Sequence, residues 1–225
     1  MVYRWGISAL SAQSVVNSVD SFNTMKKRTP IIIPKLGEKT PRQRRPIRRR
    51  FVLFVMWLTG WRIKGELPNL AKFVTIGGPH TSNWDIIVTL GTLWVTDLRV
   101  SWLVKHTAAR WPFGWFIRRL GGIPIDRNAP QGVVAQVTER FQQGEGWILL
   151  IAPEGTRRKV GRWKTGFHRI ARSAGLPILT VAIDFGNKTV ILHPLFEPTD
   201  DLEGDIAILQ AMMAEGTGHN RELEI

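Results

Sequence analysis

The sequence predicts an α/β fold: a single domain with a mixed, largely parallel sheet flanked by helices, preceded by a short amphipathic, membrane-facing helix. Three observations predict it. From Lys72 onward, apolar runs of four to six residues alternate with stretches of helical period, the rhythm of strand and helix units. Length and composition, 225 residues with 44% hydrophobic and 22% charged, suit one packed core. An eleven-residue apolar run, Phe51 to Trp61 (FVLFVMWLTGW), stands ahead of the first strand, with arginines before it and Arg62 and Lys64 after it.

Taken in order, residues 1–50 are expected to form a basic, disordered extension. They hold five serines by Ser21, four prolines from Pro30 to Pro46 and an arginine cluster from Arg42 to Arg50. Few apolar groups follow Ile33 to offset the entropy of ordering. The Arg-rich, Ser-rich, acid-poor composition also fits an organelle transit peptide, and equally a start placed too far upstream of the domain. Residues 51–64 read as an interfacial helix. Eleven residues are too few to span a bilayer core, which takes about 20 in a helix, whereas a short apolar helix between cations suits the headgroup layer. A helix simply packed on the domain has the same composition. Within the domain, residues 51–225, candidate strands are Phe73 to Ile76, Val100 to Val104, Gly122 to Ile125, Trp147 to Ala152, Ile178 to Ile183 and Thr189 to His193. Candidate helices are Trp84 to Leu98, Gly114 to Leu120, Gln131 to Gln142, Gly166 to Ala174 and Asp205 to Ala214. Ligands of such sheets bind where strands end and loops begin.

Charge narrows the partners. The formal net charge is +13. Residues 1–50 carry 12 basic and 2 acidic groups, residues 51–196 carry 18 and 8, and the acidic segment 197–225 carries 1 and 8. A basic body implies an anionic partner: a phosphorylated substrate, an acidic membrane surface or nucleic acid. The ten tryptophans fall mostly in apolar segments, where core and membrane rim explain them better than base stacking, so no nucleic acid is expected. With no cysteine there is no disulfide framework or cysteine nucleophile. The histidines at 80, 106, 168, 193 and 219 lack the spacing that puts two ligands on one helix face, so no dedicated metal site is expected; no cofactor is expected either.

Three segments carry chemistry. His80-Thr81-Ser82-Asn83-Trp84-Asp85 lies between a strand and a helix. A neutral imidazole held by a carboxylate is a general base, because the carboxylate orients the ring and stabilises the imidazolium formed on taking a proton. Ser82 with Asp85 three residues on is also a capping-box pattern, which would make Asp85 only a helix-start residue. Gly121 to Arg127 is a glycine pair, a short strand and an Asp-Arg pair, where Arg127 could grip a phosphate or simply pair with Asp126 in solvent. Pro153-Glu154-Gly155-Thr156-Arg157 leaves a buried strand, with Gly155 permitting close backbone approach and Arg158, Lys159, Arg162 and Lys164 adding positive charge. An ordinary solvated loop is the alternative. Ala171 to Gly175 imitates a nucleophile elbow, but the helix precedes Ser173, and Gly175 reads as its C-cap.

Together, in this order, the three segments resemble the blocks of the glycerolipid acyltransferase family that includes lysophosphatidate acyltransferases: an H-x4-D block, a block ending in Arg127 and a P-E-G-T-R block. Gly175 to Val181 is similar to its fourth block, with Thr180 where a second proline is usual. The resemblance runs from about Phe51 to about Pro194. It implies that His80 deprotonates an acceptor hydroxyl, that Asp85 orients it, and that Arg127, Glu154, Gly155, Thr156 and Arg157 bind the acceptor. The hydroxyl would be that of a lysophospholipid such as lysophosphatidate, and the donor an acyl-CoA or acyl-carrier protein serving as co-substrate. A peripheral enzyme on the cytoplasmic face of a membrane is expected. A thioester or lipid hydrolase, and a non-catalytic module for anionic lipid, are the competing readings.

Overall fold

A computed structural model describes residues 31–109, 114–126, 132–144, 146–155 and 162–219. Seven strands form one sheet: β1 (Arg62–Lys64), β2 (Lys72–Gly78), β3 (Ser101–Lys105), β4 (Gly122–Ile125), β5 (Trp147–Ile151), β6 (Ile178–Asp184) and β7 (Thr189–Phe196). Their spatial order is β1-β7-β6-β2-β5-β3-β4, and every pairing is parallel except β6 with β7. β2 is central, its register set by Ile76 opposite Ile151 of β5 and Thr180 of β6. Six of its seven residues are buried, as a parallel strand covered on both faces requires.

Among the described residues six α-helices accompany the sheet: α1 (Pro46–Thr59), α2 (Trp84–Val95), α3 (Gly114–Arg119), α4 (Gly132–Gln143), α5 (Gly166–Ala174) and α6 (Leu202–Met213). Successive strand residues face opposite sides, and the core divides accordingly. Val74, Ile76 and Leu149 pack with Val137 and Phe141 of α4, Phe167 and Ile170 of α5, and Leu209 and Met213 of α6. Phe73 and Ile148 pack on the other side with Leu93 of α2, Leu98 and Val100.

The elements depart from expectation at their ends. β1, three residues with two cations, has no apolar pattern to announce it and exists through its pairing with β7. α2 stops at Val95 rather than Leu98: Thr96 Oγ donates back to Thr92 O at 2.7 Å, and Asp97 turns left-handed at φ 62°. α6 begins at Leu202, ahead of the expected Asp205, because Asp201 caps it through a bond from Gly204 N at 3.0 Å. α1 begins at Pro46, five residues ahead of the apolar run, since proline is preset for the first helical turn. Of the extension expected over 1–50, residues 1–30 lie outside the described residues. Part of the remainder bonds to the domain: Thr40 Oγ to Pro68 O at 2.8 Å, Gln43 N to Asp97 O at 2.9 Å and Arg99 N to Pro41 O at 3.0 Å. Gly175, at φ 63°, closes α5 as its C-cap.

α1 buries Val52 and Met56 and packs against α2. Its other face is open: Ile47 is 84% exposed, Phe51 66%, Phe54 58% and Leu58 55%. Among the described residues no helix is long and apolar enough to cross a membrane.

Candidate active site

β2 and β5 are adjacent and parallel, so the loops after them leave the same edge of the sheet. That edge brings together three of the residues expected to act, His80, Asp85 and Glu154. Gly155 follows in the β5 loop at φ 64°, where Gly155 N donates to Ala152 O at 3.1 Å and the side chain of Lys164 lies over it. Arg127, Thr156 and Arg157 lie outside the described residues.

The His80 loop is held by two carboxylates. Asp85, fully buried in the first turn of α2, accepts from Thr81 N and Ser82 N on Oδ2, both at 2.7 Å, and from Ser82 Oγ on Oδ1 at 3.2 Å. Ser82 Oγ in turn accepts from Trp84 N at 3.1 Å. The capping geometry is therefore present, and Asp85 fixes the path of the two residues that follow His80. Glu154 reaches across from β5, its Oε2 accepting from His80 N at 2.9 Å. His80 itself is half-buried at the strand end.

Glu154 is 5% exposed, and its Oε1 is buried with no hydrogen-bond partner among the described residues. Burial pushes its carboxyl above the ordinary value. The bond from His80 N opposes that shift, and the Asp85 charge adds to it. Gly78 admits this arrangement: a Cβ there would stand 3.1 Å from Glu154 Oε1 and 3.2 Å from Met213 Sδ. A cavity of about 420 Å³ opens beside Glu154, lined by Pro79, Trp163, Gln210, Met213 and Gly216 among others. Trp163 Nε1 is likewise buried without a partner among the described residues. Glu154 and Trp163 thus line one cavity.

Sequence reasoning did not single out Trp163 or Met213. Trp163 is embedded in a run of cations, and Met213 looks like any apolar residue of a helix. Away from this loop, His168 Nε2 bonds to Asp205 Oδ2 at 2.7 Å, both buried, joining α5 to α6. Asp205 also accepts from Thr199 N at 2.6 Å and Thr199 Oγ at 2.8 Å. This pair braces α6, which supplies Gln210 and Met213 to the cavity wall. Asp126, next to Arg127, lies 3.8 Å from His106 Nδ1. Among the described residues no group of three or more His, Asp or Glu is placed to hold a metal ion.

A 1-acyl-sn-glycerol-3-phosphate acyltransferase of Pseudomonas aeruginosa is 31% identical over 157 residues, covering 62% of this chain and 59% of that protein. The crystal structure of the 1-acyl-sn-glycerophosphate (LPA) acyltransferase PlsC from Thermotoga maritima superimposes with a TM-score of 0.51 at 19% identity, over 76% of this chain and 78% of that one, a likeness of fold. The Acyltransferase family model matches residues 62–184, which run from β1 to the end of β6 and include the His80 and Glu154 loops. With that match over more than half of its length, the chain belongs to the acyltransferase family.

Proposed function

We propose that the protein moves a fatty acyl group from an acyl thioester, acyl-CoA or acyl-carrier protein, to a hydroxyl of a lysophospholipid such as lysophosphatidate. One observation carries the reading: two loops 74 residues apart converge at the ends of β2 and β5, placing His80 on a loop held by Asp85 and Glu154 in a chain of this family. His80 takes the proton of the acceptor hydroxyl as its oxygen attacks the thioester carbonyl. The tetrahedral intermediate expels the thiolate, which recovers the proton from the imidazolium, so His80 returns to its starting state. Asp85 keeps the ring in place through the loop backbone, and its negative charge favours the imidazolium.

Glu154 Oε1 accepts a hydrogen bond from the acceptor in the adjacent cavity, which relieves an unpaired buried oxygen. Arg127 and Arg157 take the acceptor phosphate, and Gly155 and Thr156 belong to the same acceptor-binding set, as the matching motifs imply. No resident cofactor enters the scheme. The exposed face of α1 seats the enzyme on the cytoplasmic surface of a membrane, where its lipid substrate resides. Replacing His80 with alanine is expected to abolish acyl transfer from acyl-CoA to lysophosphatidate while vesicle binding persists; full transfer activity in that variant would refute the assignment.

A further inference from the structure

A second cationic site lies away from the catalytic edge. Lys35, Arg42, Arg44, Arg45, Arg49 and Arg50 line a cleft of about 570 Å³ where the segment 33–45 meets the start of α1, with Asp97 the acid in its wall. Two of the arginines are anchored. Arg42 Nη2 donates to Leu36 O at 2.9 Å and Gly37 O at 3.2 Å, and Arg49 Nε donates to Val95 O at 2.9 Å. Among the described residues Arg44, Arg45 and Arg50 have no carboxylate within ion-pair distance. Their neighbour Arg48 is occupied, its guanidinium 4.4 Å from the Trp94 ring and bonded to Gln43 Oε1. Burial, and then the charge of Arg45, lower its pKa. Gathering six cations against the one Asp97 carboxylate therefore carries a repulsive cost, which a bound anion would relieve.

The cleft adjoins the open face of α1. At 100° per residue, Phe54, Ile47, Leu58 and Phe51 fall within an arc of about 60°, with Arg50 about 40° from its edge. An apolar face beside an arginine cleft matches one occupant: a phospholipid whose chains meet the face and whose anionic phosphate enters the cleft. Guanidinium forks complement phosphate oxygens in pairs, and an interfacial helix brings its flanking cations to headgroup depth.

We propose that Arg44, Arg45 and Arg50 hold the phosphate of an anionic membrane phospholipid at the N-terminal end of α1, a headgroup site separate from the acyl acceptor. The proposal rests on the docking of α1 on a membrane, and its test separates the two. Binding of the full chain is measured on phosphatidylcholine vesicles with and without phosphatidylglycerol. Affinity for pure phosphatidylcholine reports docking by the apolar face, and its absence would overturn the docking itself. The gain from phosphatidylglycerol reports the cleft. Substituting Arg44, Arg45 and Arg50 with glutamine is expected to erase that gain, about fivefold per arginine or roughly 100-fold in all, while binding to phosphatidylcholine is retained. The triple lysine variant keeps the charge and loses the forks, so its gain should fall severalfold. A lysine variant with the full gain would overturn the cleft in favour of diffuse attraction. A saturable micromolar site for inorganic phosphate without vesicles would make free phosphate the occupant, and tighter, arginine-dependent binding of an RNA oligonucleotide would make it a polynucleotide; either overturns the lipid.

Discussion

Asp85 can act in two ways, and the structure lets substitution separate them. As a cap, it supplies three acceptor contacts, two of them to backbone N–H groups at 2.7 Å. As a charge, in the mechanism proposed above, it stabilises the imidazolium formed on His80. Replacement by alanine removes both functions. It leaves the N–H groups of Thr81 and Ser82 without their acceptor at about 1–3 kcal/mol each, so a loss of about 2–6 kcal/mol is expected. For a domain of this size that lowers Tm by roughly 10 °C. Replacement by asparagine separates the functions. The amide oxygen can still accept from both N–H groups and the amide nitrogen can donate to Ser82 Oγ, so only the charge assistance is lost, about 1–2 kcal/mol. The loop therefore survives in Asp85→Asn, while kcat for acyl transfer should fall by about 10-fold or more, up to the 10²–10⁴ that general-base catalysis is worth in full. The assay is steady-state transfer from acyl-CoA to lysophosphatidate beside thermal unfolding of the same samples. If Asp85→Asn melts near the wild type and retains kcat within about threefold, the charge contributes nothing and Asp85 is a helix cap alone.

Three further outcomes follow from the same contacts. Burial, opposed by the His80 N bond and reinforced by Asp85, raises the Glu154 carboxyl; its contribution to stability is complete below the ordinary carboxyl value and is lost as pH rises through the raised one. Glu154→Gln should therefore flatten stability against pH in that window, measured by denaturant titration, while reducing acyl transfer by about 10–100-fold through the lost acceptor contact. Burial alone would raise Asp205, but the bonds from His168 and Thr199 outweigh it and hold the carboxyl below its ordinary value. Its stabilisation is thus present above that ordinary value and lost as pH falls through the lowered one, and Asp205→Ala should cost about 3 kcal/mol at neutral pH, seen as a Tm lowered by roughly 10 °C. On the exposed face of α1, Phe51→Ser with Phe54→Ser should weaken vesicle binding by about 100-fold or more in a sedimentation assay, since each ring forfeits about 1.5–3 kcal/mol of apolar transfer, with Tm unchanged.

The legibility of this chain follows from which interactions are local. β2, β5 and β6 are covered on both faces, so their runs of apolar residues stand out in any window. The α5 terminus was readable because Gly175 adopts the left-handed geometry glycine favours. β1 escaped because a three-residue edge strand depends on β7, more than a hundred residues away. The start of α1 was hidden by arginines that belong to no apolar stripe, although Pro46 marked it. In the site, the Ser82–Asp85 spacing foretold the capping bonds directly, since all partners lie within four residues. Trp163 and Met213 could not be found that way: their role comes from facing Glu154 across a cavity that only the folded chain contains. The same holds for His168 and Asp205, 37 residues apart with no shared motif.

What makes the site possible is the register of two strands rather than the distance between two motifs. Ile76 sits opposite Ile151, so Gly78 is two residues past that rung and Glu154 three. The carboxylate then meets the strand end at the position without a side chain, and its second oxygen reaches His80 N. A one-residue slip of β5 against β2 would shift Glu154 by about 3.3 Å and turn every β5 side chain to the opposite face. Ile148 and Leu149, fully buried on opposite faces, oppose that slip, because each would exchange its own core cluster for the other's. The intervening segment adds β3 and β4 on the far side of β5, outside the β2–β5 pairing itself. The packing of two aliphatic residues in the core thus sets the placement of the carboxylate beside His80.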